Sequence, residues 1–380
     1  MNNVLISLLD KSFPPAHSFV DGVLSGSVVD KCGIKSYLLV SRGVSNKKVL
    51  KYNCSICLPV LYERRGLLRF LNFFISLYYV LLLIRRTKGK TRICLFVRND
   101  PIYLFSASCL KRLFSRLVFQ SSFPHEEASN SFFKRFVAKL IYKVSNRFVD
   151  VYTAVSPLGL ERLSKIFTHS KRGGYIPLLS DFVDNANSFS PSKVGPVVKF
   201  VYIGTHAPER RIDIILKAAY LAIKCNKNIK FDFYGAKESE ISSLLEDENI
   251  NYLAENGFLS IHPPVERLMI PNILVESDVG ISLPPPTYLN KEMSPTKLTE
   301  YIGSGLAVIA NKGIQLQEFF VNDSASGILV DWEVESIAEG FAFLASNSEL
   351  VEGFKSSSRL YSGKLSYQNY SQVFLELVSG

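Results

Sequence analysis

Short apolar runs alternate with longer amphipathic stretches along the whole chain, and this alternation predicts an α/β protein. In the first half, the strand-like runs are 4–9, 36–41, 54–61, 93–97, 117–120, 151–155 and 175–179. In the second half, they are 197–203, 229–234, 279–283, 307–310 and 327–330. Helical stretches lie between them, among others at 102–114, at 212–225 and from Pro295 onward. Such alternation is typical of parallel sheets with helices on both faces.

A polar segment rich in Ser, Asn and Pro, residues 184–196, interrupts the pattern and predicts a linker. With 380 residues the chain exceeds the usual size of one core. We therefore expect an N-terminal Rossmann-like domain over 1–190 and a second over 191–364. A C-terminal helix over 365–380 would pack back on the first domain. Two doubly wound sheets in tandem would face each other across a ligand-binding cleft, at the carboxyl ends of their strands.

One apolar stretch, residues 67–84, leaves three alternatives open. Its 15 uncharged residues, 70–84, would form a helix of roughly 22 Å, which is short of the ~30 Å hydrocarbon core of a membrane. Because apolar residues cover every side of it, we favour a helix buried against a sheet. An interfacial helix and a membrane-spanning helix are the alternatives.

The net charge of +10 is divided unevenly. Residues 1–190 carry 28 Lys and Arg against 11 Asp and Glu, whereas residues 191–380 carry 16 against 23. A basic half of this kind indicates a nucleic acid or a membrane surface as partner. The pair Cys54 and Cys57 has metal or redox spacing, but no second pair completes a site. With no disulfide framework and no secretory leader, we expect a cytoplasmic protein.

The strongest chemical signal lies in the acidic half, after the loop Pro284–Pro286. Ser294 is a good N-cap and Pro295 suits a first helical position, so a helix should begin there with Thr296 and Lys297 in its first turn. The free N–H groups and the positive dipole end of such a helix bind a phosphate or diphosphate.

Two carboxylates flank that helix start. Glu300 lies one turn beyond Thr296, within reach of a polyol such as ribose, and Glu292 lies in the preceding loop, where it can accept hydrogen bonds from sugar hydroxyls.

A second phosphate-binding candidate follows the strand 197–203. Gly204 leaves room for a ligand against the backbone, Thr205 follows it, and Arg210 offers a cation a few residues later.

These features resemble family 4 glycosyltransferases, also called group 1, which have the GT-B fold. Glu292 and Glu300 match the E-x7-E spacing, and residues 294–309, SPTKLTEYIGSGLAVI, are similar to the sequence that the family has at this place. The resemblance implies that Glu292 contacts the donor sugar, that Glu300 binds the ribose and that the helix start binds the diphosphate. Thr205 stands where the family often has Arg, so Arg211 or Lys297 would supply the missing cation. The mechanism implied is retaining and needs no metal or other cofactor.

The same resemblance directs attention to three loops of the basic half as the acceptor side. Pro14 and His17 follow the first strand, Arg98 and Asp100 follow the strand 93–97, and His125 follows the next one. We expect the first four to bind the acceptor, and we expect His125 to lie near the donor sugar as a catalytic candidate together with Glu292.

Cations recur every four residues at Arg135, Lys139, Lys143 and Arg147, next to Phe and Leu, as in basic helices that bind anionic membranes. We therefore expect a cytoplasmic, metal-independent hexosyltransferase, peripheral on the inner face of the cytoplasmic membrane. It would move a sugar from a nucleotide diphosphate sugar to a lipid-linked or lipopolysaccharide-type acceptor for O-antigen or capsule. The alternatives are a nucleotide-sugar epimerase of the GT-B fold and a basic nucleic-acid-binding protein.

Overall fold

The computed structural model describes residues 2–15, 17–42, 49–62, 71–87, 91–128, 131–170, 172–180 and 193–379, with the main chain only at residues 2, 91 and 125. The linker expected over 184–196 and the start of the apolar stretch 67–84 lie largely outside these residues. The chain divides into two units. The first comprises residues 1–178, 292–294 and 367–380, and the second comprises residues 179–291 and 295–366.

The described strands are β1 (Asn2–Ser12), β2 (Lys35–Ser41), β3 (Leu50–Tyr52), β4 (Ser55–Leu61), β5 (Thr91–Arg98), β6 (Arg116–Ser121), β7 (Val151–Ala154), β8 (Arg172–Tyr175), β9 (Val198–Ile203), β10 (Ile229–Tyr234), β11 (Leu259–His262), β12 (Val279–Ser282), β13 (Ala307–Asn311) and β14 (Gly327–Val330). The described α-helices are α1 (Ser27–Lys31), α2 (Asn72–Thr87), α3 (Pro101–Cys109), α4 (His125–Ala128), α5 (Phe132–Ser145), α6 (Pro157–Ile166), α7 (Ile212–Cys225), α8 (Glu238–Leu245), α9 (Glu248–Glu255), α10 (Ile270–Val275), α11 (Tyr288–Lys291), α12 (Thr296–Gly303), α13 (Gln315–Ser324), α14 (Val334–Ser346), α15 (Ser348–Tyr361) and α16 (Ser371–Ser379).

The first unit contains a sheet with the strand order β3-β4-β2-β1-β5-β6-β7-β8. The described pairs are parallel except β3 with β4, which are antiparallel. Strands β2, β3 and β4 lie on one side of β1, and strands β5 to β8 lie on its other side. This reversal makes a topological switch point between β1 and β5, where open α/β sheets bind ligands beyond the carboxyl ends of their strands.

Apolar side chains cover both faces of this sheet. One face packs against buried residues of α2, α3, α5 and α6. On the other face Phe96 of β5 lies 6.3 Å from Phe19 and 6.4 Å from Phe374 of α16, measured between ring centroids. Arg116 donates hydrogen bonds of 3.0 Å to the carbonyl oxygens of Glu376 and Leu377, which satisfies the last turn of α16. The C-terminal helix is thus part of the first unit.

The second unit contains a sheet with the order β11-β10-β9-β12-β13-β14, and its described strand pairs are parallel. Its switch point lies between β9 and β12. A buried ion pair supports this sheet: Lys355 Nζ lies 2.9 Å from Asp278 Oδ1, and Asp278 Oδ2 accepts the N–H of Lys199 at 3.0 Å. The side chains of Lys355 and Asp278 are 0% and 3% exposed. Removing one partner of such a pair typically costs about 3–5 kcal/mol.

Two expectations about elements need correction. A strand was expected over 175–179, but β8 is Arg172–Tyr175. The glycine pair 173–174 extends beside β7, and Pro177 has no N–H to continue the ladder. The described part of the stretch 67–84 belongs to α2, which buries Val80, Leu83 and Ile84 but leaves Phe74 and Tyr78 exposed. That helix therefore packs against the sheet, as expected, but on one side only. Among the described residues, the chain contains no helix with the length and apolar character needed to cross a membrane.

Candidate functional site

The carboxyl end of β9, at the switch point of the second unit, brings Gly204 together with Lys297 from the first turn of α12. A Cβ atom on residue 204 would lie 2.6 Å from Lys297 Nζ and 2.9 Å from the hydroxyl of Tyr202. The Lys297 side chain can therefore lie over this backbone only because residue 204 is glycine. Its ammonium group also lies 5.7 Å from the centre of the Tyr202 ring.

Lys297 carries a charge in unfavourable surroundings. Burial lowers the pKa of Lys297 to about 8, and the nearby Arg210 guanidinium contributes to the decrease, while Glu300 opposes it. Among the described residues, neither Lys297 nor Arg210 has a carboxylate within ion-pair distance. Two cations without an anion, beside the N-terminus of α12, are suited to bind an anionic ligand.

Glu300, expected at the ribose, is largely buried and lies in the same unit. Arg267 Nη2 is 3.4 Å from Glu300 Oε1, so this carboxylate is oriented by a cation that the sequence analysis did not select. Thr205 is exposed, and the next residue, His206, is buried with Nδ1 3.1 Å from the carbonyl oxygen of Gly204. Burial lowers the pKa of His206, which favours a neutral ring.

Two expectations for this loop region are wrong in detail. Ser294 does not cap α12, because its hydroxyl bonds the N–H of Leu178 at 2.8 Å and lies 3.2 Å from the Leu178 carbonyl. Pro295 occupies the N-cap position instead, and Thr296 is the first helical residue. Of the two cations expected to compensate for Thr205, Arg211 is exposed and forms a two-point ion pair with Asp213 at 3.0 Å. Lys297 has no carboxylate partner among the described residues.

In the first unit, Arg98 is the centre of a buried polar cluster at the switch point between β1 and β5. Its guanidinium lies 2.9 Å from Asp10 Oδ1, donates to Gln120 Oε1 at 3.1 Å and lies 3.2 Å from His17 Nε2. Arg98 is 1% exposed. The side chain therefore positions its neighbours, and among the acceptor candidates His17, which is only partly buried, is the more accessible member of the cluster.

The remaining acceptor candidates have different environments. Asp100 is buried and accepts the N–H of Ile102 at 2.8 Å, so it is the N-cap of α3. Pro14 is exposed and follows a cis peptide bond from Phe13. The next polar residue of the cluster, Asn99, donates to Asp10 Oδ2 at 3.1 Å.

Glu292 belongs to the first unit, whereas Glu300 belongs to the second. Arg162 of α6 donates from Nε to both Glu292 oxygens, at 2.8 and 3.1 Å, and its Nη1 forms an ion pair with Glu126. The hydroxyl of Ser156 donates to the Glu292 carbonyl at 2.7 Å. Burial raises the pKa of Glu126, and the Arg162 guanidinium opposes that increase.

His125 is the first residue of α4, and its side chain lies outside the described residues. The ion-pair cluster next to it was missed at the level of sequence. Glu126 is adjacent to the selected histidine, but Arg162 lies 130 positions before Glu292. A single arginine on a helix shows no sequence pattern that would indicate such a distant partner. Only the fold brings these three charges together.

No metal centre is formed by the residues that the structure describes, since none of their His, Cys, Asp and Glu side chains form a group of three suited to a metal ion. Cys54 is exposed and Cys57 is buried, and burial raises the pKa of the Cys57 thiol to about 12. These two cysteines are therefore free thiols in the structure.

Comparison with protein-family models gives no match, and comparison with characterised protein sequences gives none either.

Solved structures do match. A sucrose-phosphate synthase from Thermosynechococcus elongatus superposes with a TM-score of 0.69 over 99% of this chain and 98% of that chain, at 13% identity. The E. coli trehalose-6-phosphate protein bound with UDP-2-fluoro glucose gives 0.69 over 98% of each chain, at 11% identity. TarM gives 0.71 over 100% of this chain and 99% of that one, at 12% identity. The chain thus has the GT-B fold of glycosyltransferases, which confirms the α/β fold class.

Replacement of Arg162 tests the ion-pair cluster. In Arg162→Ala the free energy of unfolding should fall by about 3–5 kcal/mol, because two buried carboxylates lose their shared cation. The loss should be smaller at pH 5 than at pH 8, because Glu126, whose pKa is already raised, binds a proton more readily in the folded state. Urea unfolding at the two pH values measures both effects.

The matched control for this variant is Lys165→Ala on the same helix, whose fully exposed pair with Glu161 should contribute much less to stability. Adding Glu126→Gln to Arg162→Ala should recover part of the loss. Equal stability of Arg162→Ala and Lys165→Ala would contradict the assignment.

Proposed function

We propose that this protein is a retaining glycosyltransferase, similar to family 4, that uses a nucleotide diphosphate sugar as donor. The observation that carries the proposal is the pair Lys297 and Arg210, two cations with no carboxylate partner in the described chain, beside Gly204 and the first turn of α12. A diphosphate supplies the missing negative charge. Structural neighbours support this choice, since one is bound with UDP-2-fluoro glucose and a S. aureus TarM mutant with UDP.

The residues present can be assigned to the parts of the donor. Lys297 and Arg210 would stabilise the charge that develops on the leaving diphosphate, and Glu300 would hold the ribose. Glu292 would accept hydrogen bonds from the donor sugar, since a carboxylate bound by one guanidinium retains free lone pairs. Arg162 would act as a positioning residue that holds the Glu292 carboxylate in place through the hydrogen bonds from its Nε. No metal or cofactor is assigned a role.

Binding of free nucleotides tests the donor site. We expect UDP, GDP or ADP to stabilise the wild-type protein against heat, and we expect Glu300→Ala to weaken nucleotide binding by at least tenfold, about the value of one hydrogen bond to a charged group. Glu339→Ala, an exposed glutamate of the same unit, is the control. Absence of binding by all three nucleotides, measured by calorimetry, would overturn the proposal.

The reaction itself distinguishes this proposal from the epimerase alternative. Glu292→Ala should bind nucleotide as the wild type does but lose turnover or sugar discrimination. Conversion of the nucleotide sugar without any acceptor would instead indicate an epimerase.

The charge of Lys297 predicts a pH dependence. A bound diphosphate favours the protonated amine and so raises the pKa of Lys297 above about 8. UDP affinity should therefore be constant below pH 7 and fall by up to about tenfold per pH unit as the pH rises above 8. Calorimetry between pH 6.5 and 9.5 measures this decrease. Lys297→Arg, which stays charged throughout, should bind UDP with nearly constant affinity; the same decrease in this variant would contradict the role of Lys297.

We also propose that the acceptor is lipid-linked, of the type used in O-antigen or capsule assembly, and that the protein contacts the anionic inner face of the cytoplasmic membrane through α5. This helix buries Ala138, Tyr142 and Ser145. Large apolar side chains on its outward side are exposed: Phe132, Phe133, Phe136, Leu140 and Val144. Lysines and arginines lie between them, and each cation near an anionic surface contributes about 1 kcal/mol. Apolar and basic groups interleaved on one helix suit a membrane interface.

Flotation with vesicles tests the membrane contact. The protein should float with vesicles containing phosphatidylglycerol, and Phe132→Ser with Phe133→Ser should bind at least tenfold more weakly, because two aromatic rings no longer enter the interface. The control pair Phe319→Ser with Leu360→Ser removes exposed apolar side chains from the other unit. Equal binding of both double variants would contradict the assignment of α5, and a gel shift on DNA or RNA without flotation would favour the nucleic-acid alternative.

A further inference from the structure

A cavity of the first unit lies at the opposite end of its strands from Arg98 and His17. Its volume is about 710 Å³, within the range of small-molecule sites. The lining includes the first residues of three strands, namely Arg116 of β6, Val151 of β7 and Arg172 of β8, so the cavity lies at the amino ends of these strands. The carboxyl ends, where the acceptor candidates lie, are a strand length away.

The lining of this cavity is strongly basic. Its cationic and titratable side chains are Arg92, Arg116, Arg147, Arg172 and His169, and its one carboxylate is Asp150. Asp150 is already paired with Lys111 at 2.9 Å, and it accepts the N–H of Leu117. The nearby Glu376 is paired with Arg172.

Three of the arginines are therefore left without a carboxylate among the described residues. Arg116 and Arg92 donate only to neutral main-chain carbonyls, the latter to Ser379 at 3.4 Å. Arg147 is exposed, and its guanidinium makes no hydrogen bond or ion pair within the part of the chain that the structure describes. Arg116 and Arg172 thus hold α16, Arg92 adds one long and exposed hydrogen bond to its last residue, and Arg147 has no partner within the described chain.

We infer that this cavity is a binding site for a phosphate-bearing anion, separate from the donor and acceptor sites. A guanidinium group can donate two parallel hydrogen bonds to the oxygens of one phosphate. A cavity of this size with several guanidinium groups accommodates one or two phosphate groups. Arg147 follows the C-terminus of α5 by two residues, so the cavity adjoins the helix that carries the exposed apolar side chains. The phosphate can accordingly belong to a lipid headgroup at the membrane or to a soluble phosphorylated compound.

Titration with inorganic pyrophosphate tests the site. The donor-site double variant Lys297→Ala with Arg210→Ala serves as the background, because it removes both cations proposed to bind the donor diphosphate, and the result does not depend on the proposed transferase activity. We expect pyrophosphate to bind, and we expect added Arg92→Ala and Arg147→Ala to weaken that binding at least tenfold. Lys139→Ala removes a cation from the exposed surface of α5 without touching the cavity, and it should leave the affinity unchanged. Equal affinity in all three proteins, or no binding in the background double variant, would overturn the inference.

A second measurement identifies the source of the phosphate. If the ligand is a lipid headgroup, vesicles containing phosphatidylglycerol should reduce pyrophosphate affinity by occupying the cavity, and neutral phosphatidylcholine vesicles should not. If the ligand is soluble, neither kind of vesicle should change the affinity for pyrophosphate. The lipid-headgroup outcome rests on the proposed membrane contact, whereas the soluble-ligand outcome supports the cavity as a binding site independently of that contact.

Discussion

Parallel pairing of strands is the constraint on which the rest of the molecule depends. In a parallel sheet all carboxyl ends meet at one edge, and the place where the strand order reverses leaves a crevice between two neighbouring loops. The first unit reverses between β1 and β5, where Arg98 meets Asp10. The second reverses between β9 and β12, where Gly204 meets Lys297. Each unit thus concentrates its polar chemistry where its backbone topology leaves room for a ligand.

The buried cations at those edges have carboxylate partners in the first unit but not in the second. In the first unit Arg98 is neutralised by Asp10, and Arg162 by Glu126 and Glu292, so these cations position other groups. In the second unit Lys297 has no carboxylate partner in the described chain, and its lowered pKa records the unfavourable free energy of its charge there. An anionic ligand would remove that penalty, and for this reason we propose the donor diphosphate site in the acidic half of the sequence.

Much of the fold was predictable from sequence because burial on both faces gives parallel strands a continuous apolar signal. The helix 212–225 and the strands 229–234 and 327–330 have the boundaries expected. The short edge strand β3 and the strand β11 gave no comparable signal and were missed. For the candidate site, the sequence was informative about residue types at loop positions but not about their partners. Arg267 beside Glu300 and Arg162 beside Glu292 come from distant segments with no fixed spacing.

The sequence by itself determined the alternation of strands and helices, the uneven charge and the glutamates that flank a helix start, because each of these depends on the order of residues over at most a few turns. The tertiary structure decided which charges meet. The hydroxyl of Ser294 hydrogen-bonds Leu178 instead of capping the helix, and Arg211 pairs with Asp213. Lys297 lies over a glycine, with no carboxylate partner in the described chain. Ion pairs and hydrogen bonds act over a few ångströms in space, and only the packing of sheets and helices sets those distances.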